Sequence, residues 1–292
     1  MTALKHIGVL AHPLRPESAP VAATIAAALQ KRNVSCWVET VWDEHNVRER
    51  VRHSEIVIAI GGDGAMLRAS RVCAPFSVPV LGVNMGQLGF LAELRLDDWQ
   101  ANLDAVLERE YWIERRMMIH TSVVEEGRVV VSGDALNDAV ISGGITRMIQ
   151  LHTFIDGDWA TTYNADALII ATPTGSTAYA LACGGPILPP ELHNILIVPV
   201  APHLSMDRPL VLSQGATVEV QPVPHPRAEI GVSLDGVMLC HLREGQNVRV
   251  RASDHASRFV RLRGRNYFYR SLLDRLEPRT PRPKPEQRKL KR

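Results

Sequence analysis

The sequence predicts an α/β N-terminal domain, doubly wound and Rossmann-like, followed by an all-β, sandwich-like C-terminal domain. Two observations carry this. Over residues 1–110, short β-branched runs alternate with helix-compatible stretches, the pattern of a parallel sheet covered on both faces. Over residues 111–273, strand signals follow one another with turn residues between them and almost no helix.

The first half reads as follows. His6 to Ala11 is a strand, and Pro20 to Lys31 a helix with Val21, Ile25, Ala28 and Leu29 on one face. Val34 to Val41 is a second strand and Glu55 to Ile60 a third, apolar from Ile56 on as in a buried parallel sheet. Gly61-Gly-Asp-Gly64 follows it, then a helix from Ala65 stopped by Pro75. Val78 to Val83 is a further strand, and Asp97 caps a helix in which Leu103, Val106 and Leu107 share a face.

In the second half, Met118 to Val124 and Arg128 to Ser132 flank Glu125-Glu-Gly127, a hairpin signal. Met148 to Ile155 and Trp159 to Tyr163 flank Asp156-Gly157, which suits a type I′ turn. Strands follow at Ala167 to Ala171, Asn194 to Val198, Thr217 to Val220, Glu229 to Leu234 and Asn247 to Arg251, with one helical candidate after Thr177.

With 292 residues the chain has room for two cores, since single cores stop growing near ~250–300 residues. The net charge of +2 is unevenly placed. Eight Lys or Arg against two Glu put +6 on residues 275–292, so the rest carries −4. Residues 274–292, with four prolines, read as a solvated, disordered tail rather than a nucleic-acid or membrane arm. The four cysteines are scattered and never form Cys-x-x-Cys, which argues against a zinc site or disulfide framework and fits a reducing cytoplasm. Neither a signal peptide nor a membrane span is legible.

Strand, glycine turn and helix aim free N–H groups and a positive dipole end at an anion. Asp63 adds a carboxylate there, which costs Coulomb energy unless a metal or a hydroxyl proton is its partner. The combination points to phosphoryl transfer, with Asp63 as base or metal contact. Asn84-Met-Gly-Gln-Leu-Gly-Phe-Leu91 forms a loop whose Phe90 either stacks on a base or nicotinamide ring or fills the core below. Asn137-Asp138 either grips a ribose diol or adenine edge or is an ordinary turn. Thr172-Pro-Thr-Gly-Ser-Thr-Ala-Tyr179 is a second hydroxyl-rich turn opening a helix, which Gly184-Gly-Pro186 ends. No P-loop, Gly-x-Gly-x-x-Gly fingerprint, Gly-x-Ser-x-Gly elbow or metal-spaced His/Cys cluster occurs, so no residue is assigned to a metal.

Taken in order, these stretches, together with Ser233-Leu-Asp-Gly236, closely resemble the bacterial NAD kinase family over nearly everything before the tail. The resemblance implies transfer of a phosphoryl group from ATP, with a divalent metal such as Mg²⁺, to the 2′-hydroxyl of the adenosine ribose of NAD. It also implies a homo-oligomer, dimer or tetramer. By position it makes Asp63 the base, sets Gly64 against the phosphates and brings Arg68 within reach of one. Phe90, Asn137 and Asp138 then line the NAD site. Asp166 and the run Thr177, Ala178, Tyr179, Ala180, Leu181, Ala182 hold its nicotinamide and ribose side, and Arg147 and Asn164 stand at polar contact positions.

The chain departs from the family pattern at Ala167 (Asp-Gly is usual), at Ala182-Cys183 (Ser-Ala), at Asn164 (Arg) and at Val237 (Gln). Two rivals share parts of the signal. Lipid kinases of the diacylglycerol and sphingosine type carry Gly-Gly-Asp-Gly but lack the Asn-Asp and Thr-Pro-Thr-Gly-Ser-Thr-Ala-Tyr pair. A non-catalytic nucleotide-binding protein leaves Asp63 without a purpose.

Overall fold

The computed structural model describes residues 3–86, 89–144, 148–224, 229–265, 267–269 and 272. The described residues up to 262 form one compact unit and those beyond it belong to a second, in which residues 267–269 are helical. The proposed tail, 274–292, lies outside the described residues.

The first unit opens with β1 (His6–Leu10), α1 (Ser18–Gln30), β2 (Ser35–Glu39), α2 (Arg48–Arg52), β3 (Ile56–Ile60), α3 (Asp63–Cys73), β4 (Val80–Asn84), β5 (Leu94–Arg95) and α4 (Trp99–Leu107). The strands pair in parallel in the order β2-β1-β3-β4. Side chains of β3 alternate between two cores, as the period of a strand requires. Ile56, Ile58 and Ile60 pack with Ile25 and Leu29 of α1 and Leu103 and Val106 of α4. Val57 and Ala59 pack with Val51 of α2 and Met66, Ala69 and Val72 of α3. Both faces are covered, which is the doubly wound arrangement read from the sequence. One detail differs: α4 starts after Asp98, not Asp97. The Asp98 carboxylate accepts from the Arg95 N–H at 2.6 Å, so it closes the preceding turn instead of capping the helix.

The chain continues through β6 (Trp112–Glu125), β7 (Arg128–Ala135), β8 (Asp138–Gly143), β9 (Ile149–Ile155), β10 (Asp158–Ala165), β11 (Ala167–Ala171), α5 (Tyr179–Ala182), β12 (Asn194–Val200), β13 (Leu210–Ser213), β14 (Val218–Pro222), β15 (Ile230–Leu234), β16 (Val237–His241) and β17 (Asn247–Arg261). Both expected hairpin turns form, with Glu126, Gly127, Asp156 and Gly157 all at positive φ. The helical candidate after Thr177 forms as one short helix. One 3₁₀ turn, Gly175–Thr177, precedes the four residues of α5, and the Gly184-Gly185-Pro186 stop ends it at once.

Six of these strands form an antiparallel sheet in the order β13-β12-β11-β8-β15-β16. The others extend the first sheet, in the order β10-β9-β14-β17-β4, with β6 on β17 and β7 on β6. The two sheets enclose a shared core that includes Ile119, Ala139, Ile141, Leu168, Ile170, Ile197, Val220 and Val248. The sandwich-like half of the expectation is met by this face-to-face packing. The opposite face of the six-stranded sheet carries Val140, Ala167, Ile169, Ala171 and Val198, covered in part by Ala180 of α5. Among the described residues no helix is long and apolar enough to cross a membrane, and all four cysteines are free.

Candidate active site

Asp63 is the first residue of α3, directly after the Gly61-Gly62 turn from β3. Its Oδ2 accepts the backbone N–H of Phe90 at 2.8 Å and its Oδ1 that of Leu91 at 3.2 Å. The loop after β4 is therefore clipped to the turn after β3. A Cβ at Gly89 would overlap the carboxylate, so glycine at this point is a packing requirement of the clip. Gly62 and Gly64 face open space, which leaves the first-turn N–H groups of α3 a side that an anion can approach.

Arg68, one turn further, lies over the Trp42 ring at 5.1 Å from its centroid. His12 stands beside the turn, although in the sequence it is one of eleven scattered histidines and unexceptional by itself. Burial, then the charges of Arg15 and Arg68, hold its imidazole below the usual range, so it is neutral at pH 7. Its Nδ1 accepts the Leu14 N–H at 3.1 Å, which places the neutral ring's hydrogen on Nε2.

The second group of residues comes from the six-stranded sheet. Ala139 and Ile141 of β8 enter the sandwich core, so Asp138, Val140 and Ser142 face the other way. With Leu67, Asn137, Ala167, Ala178, Tyr179, Ser233, Asp235 and Gly236, they line a cavity of about 460 Å³. That is within the ~300–1,000 Å³ of small-ligand sites. A Cβ at Gly175 would overlap the Asn137 carbonyl, so the Thr-Pro-Thr-Gly turn presses directly on the Asn-Asp pair. The Thr172 N–H donates to that same carbonyl at 2.8 Å, and the Thr172 hydroxyl to the Leu136 carbonyl at 2.5 Å.

Asp235 organises this cluster, and only its place in a motif hints at it beforehand. Asp235 and Gly236, both at positive φ, form the turn between β15 and β16, and an Asp-Gly hairpin reads as a turn and nothing more. Yet the Asp235 side chain is fully buried. Its carboxylate accepts the N–H groups of Leu136 (3.1 Å), Asn137 (2.7 Å) and Asp138 (3.3 Å), with Arg71 Nη1 at 3.5 Å.

Burial and the Asp235 charge raise the Asp138 carboxyl from the usual 3.8 to about 7. Burial raises Asp235 too, against the pull of its N–H donors and Arg71. Between about pH 4 and 7 the folded Asp138 therefore keeps a proton that the unfolded chain has lost. The stability tied to that proton is complete below pH 4 and is lost as the pH rises through 7. Asp138→Asn should consequently gain stability relative to the parent at pH 8 compared with pH 5. Urea denaturation of both proteins at the two pH values checks this, and an equal difference at both would contradict it.

Of the other sequence-predicted residues, Phe90 contributes its N–H to the Asp63 clip. Thr177 bonds back to the Thr174 carbonyl at 3.2 Å. Asn164 is held through its main chain by Ser205 and His203. Asp166 is exposed between β10 and β11, and Ala180 is buried beneath the sheet face. Asn164, Asp166, Leu181 and Ala182 do not line the 460 Å³ cavity as described. Arg147 lies outside the described residues. A larger cavity of about 600 Å³, with His120, Asp134 and His255 on its wall, contains none of the predicted residues.

The ATP-NAD kinase N-terminal domain matches residues 22–111 and the ATP-NAD kinase C-terminal domain residues 136–262. The chain belongs to the ATP-NAD kinase family. The NAD kinase of Geobacter metallireducens is 36% identical over 272 residues, 91% of this chain and 96% of that one. That of Polaromonas sp. is 40% identical over 215 residues, 73% of each. Two solved structures share the family fold. The yeast NADH kinase complexed with NADH has a TM-score of 0.85 at 21% identity, covering 97% of this chain and 90% of that one. An NAD kinase from Archaeoglobus fulgidus in complex with ATP has a TM-score of 0.71 at 22% identity, covering 91% and 97%.

Proposed function

We propose that the chain is an NAD kinase, transferring the γ-phosphoryl group of ATP to the 2′-hydroxyl of the adenosine ribose of NAD to give NADP. The observation that carries this reading is the meeting of two groups on one cavity. Leu67, one turn after Asp63 on the same face of α3, lines it together with Asn137, Asp138 and Tyr179. One helix thus links the proposed base at the phosphate turn to a largely apolar pocket whose few polar groups, Asn137, Asp138 and Ser233 among them, suit a ribose.

In the reaction, Asp63 takes the proton of the 2′-hydroxyl as its oxygen bonds to the γ-phosphorus. The bond from that phosphorus to the β–γ bridging oxygen breaks, and ADP leaves with the electron pair. Each Asp63 oxygen accepts one N–H and keeps another lone pair, so the clip holds the base without using it up. The phosphates approach the N–H groups around Gly64 at the positive end of α3. Asn137 and Asp138 grip the ribose. Phe90, Arg147, Asn164, Asp166 and the run from Thr177 to Ala182 are assigned to the remainder of NAD, and Arg68 to a phosphate.

Mg²⁺ arrives with ATP. Among the described residues no three His, Cys, Asp or Glu side chains converge into a cation cage. Mg²⁺ in such sites takes most of its ligands from phosphates and water with one or two carboxylates, which this donor set fits. Once bound, the ion neutralises phosphate charge. We assign residues 1–110 to phosphate binding and 111–273 to NAD binding, and we propose a cytoplasmic homo-oligomer, dimer or tetramer, with no nucleic-acid or membrane partner.

A coupled assay with NAD, ATP and Mg²⁺, run beside NADH and a diacylglycerol acceptor, tests the proposal. Turnover of NAD is expected. Phosphorylation of the lipid alone would move the chain to the lipid-kinase reading, and nucleotide binding without turnover would make it a binding protein.

A further inference from the structure

Four charged side chains with no part in the step above, Glu93, Glu114, Arg116 and Arg261, are almost completely buried. Charges buried together are costly to desolvate, and a network of them needs a reason beyond stability. Their contacts run from one functional loop to the other. Arg261, on β17, donates from Nη1 to the Leu91 carbonyl at 2.8 Å and to Glu93 Oε2 at 3.2 Å. Leu91 is the residue whose own N–H bonds Asp63. The Leu262 N–H closes the opposite side of Glu93 at 3.0 Å.

Glu114, on β6, is shared by both arginines. Arg261 Nε and Nη2 lie 2.8 and 2.7 Å from its Oε2, and Arg116 Nε lies 3.0 Å from the same oxygen. Arg116 then reaches the Thr174 hydroxyl at 3.4 Å, in the turn that presses on Asn137. Both guanidiniums also lie over the Phe259 ring, at 5.3 and 5.6 Å from its centroid. Burial pushes the Glu114 carboxyl up, but the two guanidiniums outweigh it and hold the group below the usual carboxylate range. The bridge is therefore ionised at neutral pH.

We propose that Arg261 is a positioning residue for phosphoryl transfer: through the Leu91 carbonyl it fixes the loop that aims Asp63, and through Glu114 and Arg116 it keeps that loop in register with the Thr174 turn. The assignment rests on the kinase reading above. It requires the planar fork of arginine, because three acceptors in different directions must be met at once. A lysine keeps the charge and pairs with Glu93 or Glu114, but one ammonium cannot also hold the Leu91 carbonyl in the same geometry.

The test compares the parent with Arg261→Lys in the full chain. The measurements are kcat and KM for NAD, NAD affinity by titration calorimetry, and amide hydrogen exchange by residue. Misplacing a reacting group by about 1 Å costs up to ~10²-fold in rate. A fall in kcat of about 10- to 100-fold is expected, with NAD affinity nearly unchanged and faster exchange confined to the Phe90 and Leu91 amides. Unchanged kcat in a folded variant overturns the proposal, and so does a fall in kcat with exchange that rises evenly over the chain. If the lysine variant does not fold, Glu93→Gln, which removes one acceptor from Arg261 with little change of shape, is read by the same criteria. If the parent itself does not turn over NAD, the kinase reading fails first. Exchange at Phe90 and Leu91 then still reports whether Arg261 holds the loop.

Discussion

Asp63→Asn is expected to lower kcat for NAD phosphorylation by about 10²–10⁴-fold, the usual cost of removing a general base. The asparagine side chain has the same shape but one oxygen, so it cannot accept from both Phe90 and Leu91. One of those N–H groups will face an amide NH₂, at a cost of about 1–3 kcal/mol. The variant should therefore melt somewhat below the parent. KM for NAD should change little, because Asn137, Asp138 and Asp235 stand on different elements. Steady-state kinetics at saturating ATP decides the matter, and an Asn variant keeping most of its turnover would remove Asp63 from the role of base.

Asp235→Ala carries the largest expected loss of stability. The change strips an acceptor from three consecutive N–H groups and leaves the Arg71 guanidinium short of one of its partners. Breaking a buried charge pair by removing one member typically costs about 3–5 kcal/mol. Arg71 keeps Glu44, at 2.8 Å, so the lower half of that range applies to the pair. The orphaned N–H groups add to it. Denaturant unfolding should show the loss. Asp235→Asn, which retains one acceptor at the centre of the three donors, should recover part of it. An alanine variant as stable as the parent would mean that the turn holds the Asn137–Asp138 segment by other contacts.

Local signals made much of this molecule legible. The Glu55-to-Ala74 stretch announced strand, turn and helix because an apolar β-branched run, two glycines and a helix-forming segment follow one another without interruption. The hairpins at Glu126-Gly127 and Asp156-Gly157 were legible because glycine, and in the second turn also aspartate, accepts left-handed backbone. The two motifs that converge on the cavity, Asn137-Asp138 and Ala178-Tyr179, stood out as polar turns beside apolar runs.

What stayed hidden depends on partners far away in sequence. Arg261 belongs to an alternating strand and, read alone, is a solvent-facing residue. It is buried because Glu93, from the loop before β5, and Glu114, from β6, meet it there. Asp235 looks like half of a hairpin turn, and its three donors come from a segment nearly a hundred residues earlier. Asp97 and Asp98 look alike in sequence, and nothing local tells that the Asp98 carboxylate goes to the Arg95 N–H and caps no helix.

The position of β17 bears on how the protein is made. Phe259 pairs in parallel with Val80 of β4, and Phe259 and Val260 each complete one of the two cores of the α/β half. A nascent chain emerging from the ribosome reaches the α/β elements first but lacks these two side chains until almost the whole of the β-rich half has also been synthesised. The first half must wait with an open sheet edge and two unfinished cores, and closing them joins residues most of the chain's length apart. Such non-local closure slows folding and prolongs exposure of apolar surface. A fragment ending at the sequence boundary near residue 111 would keep its parallel strands but never seal them.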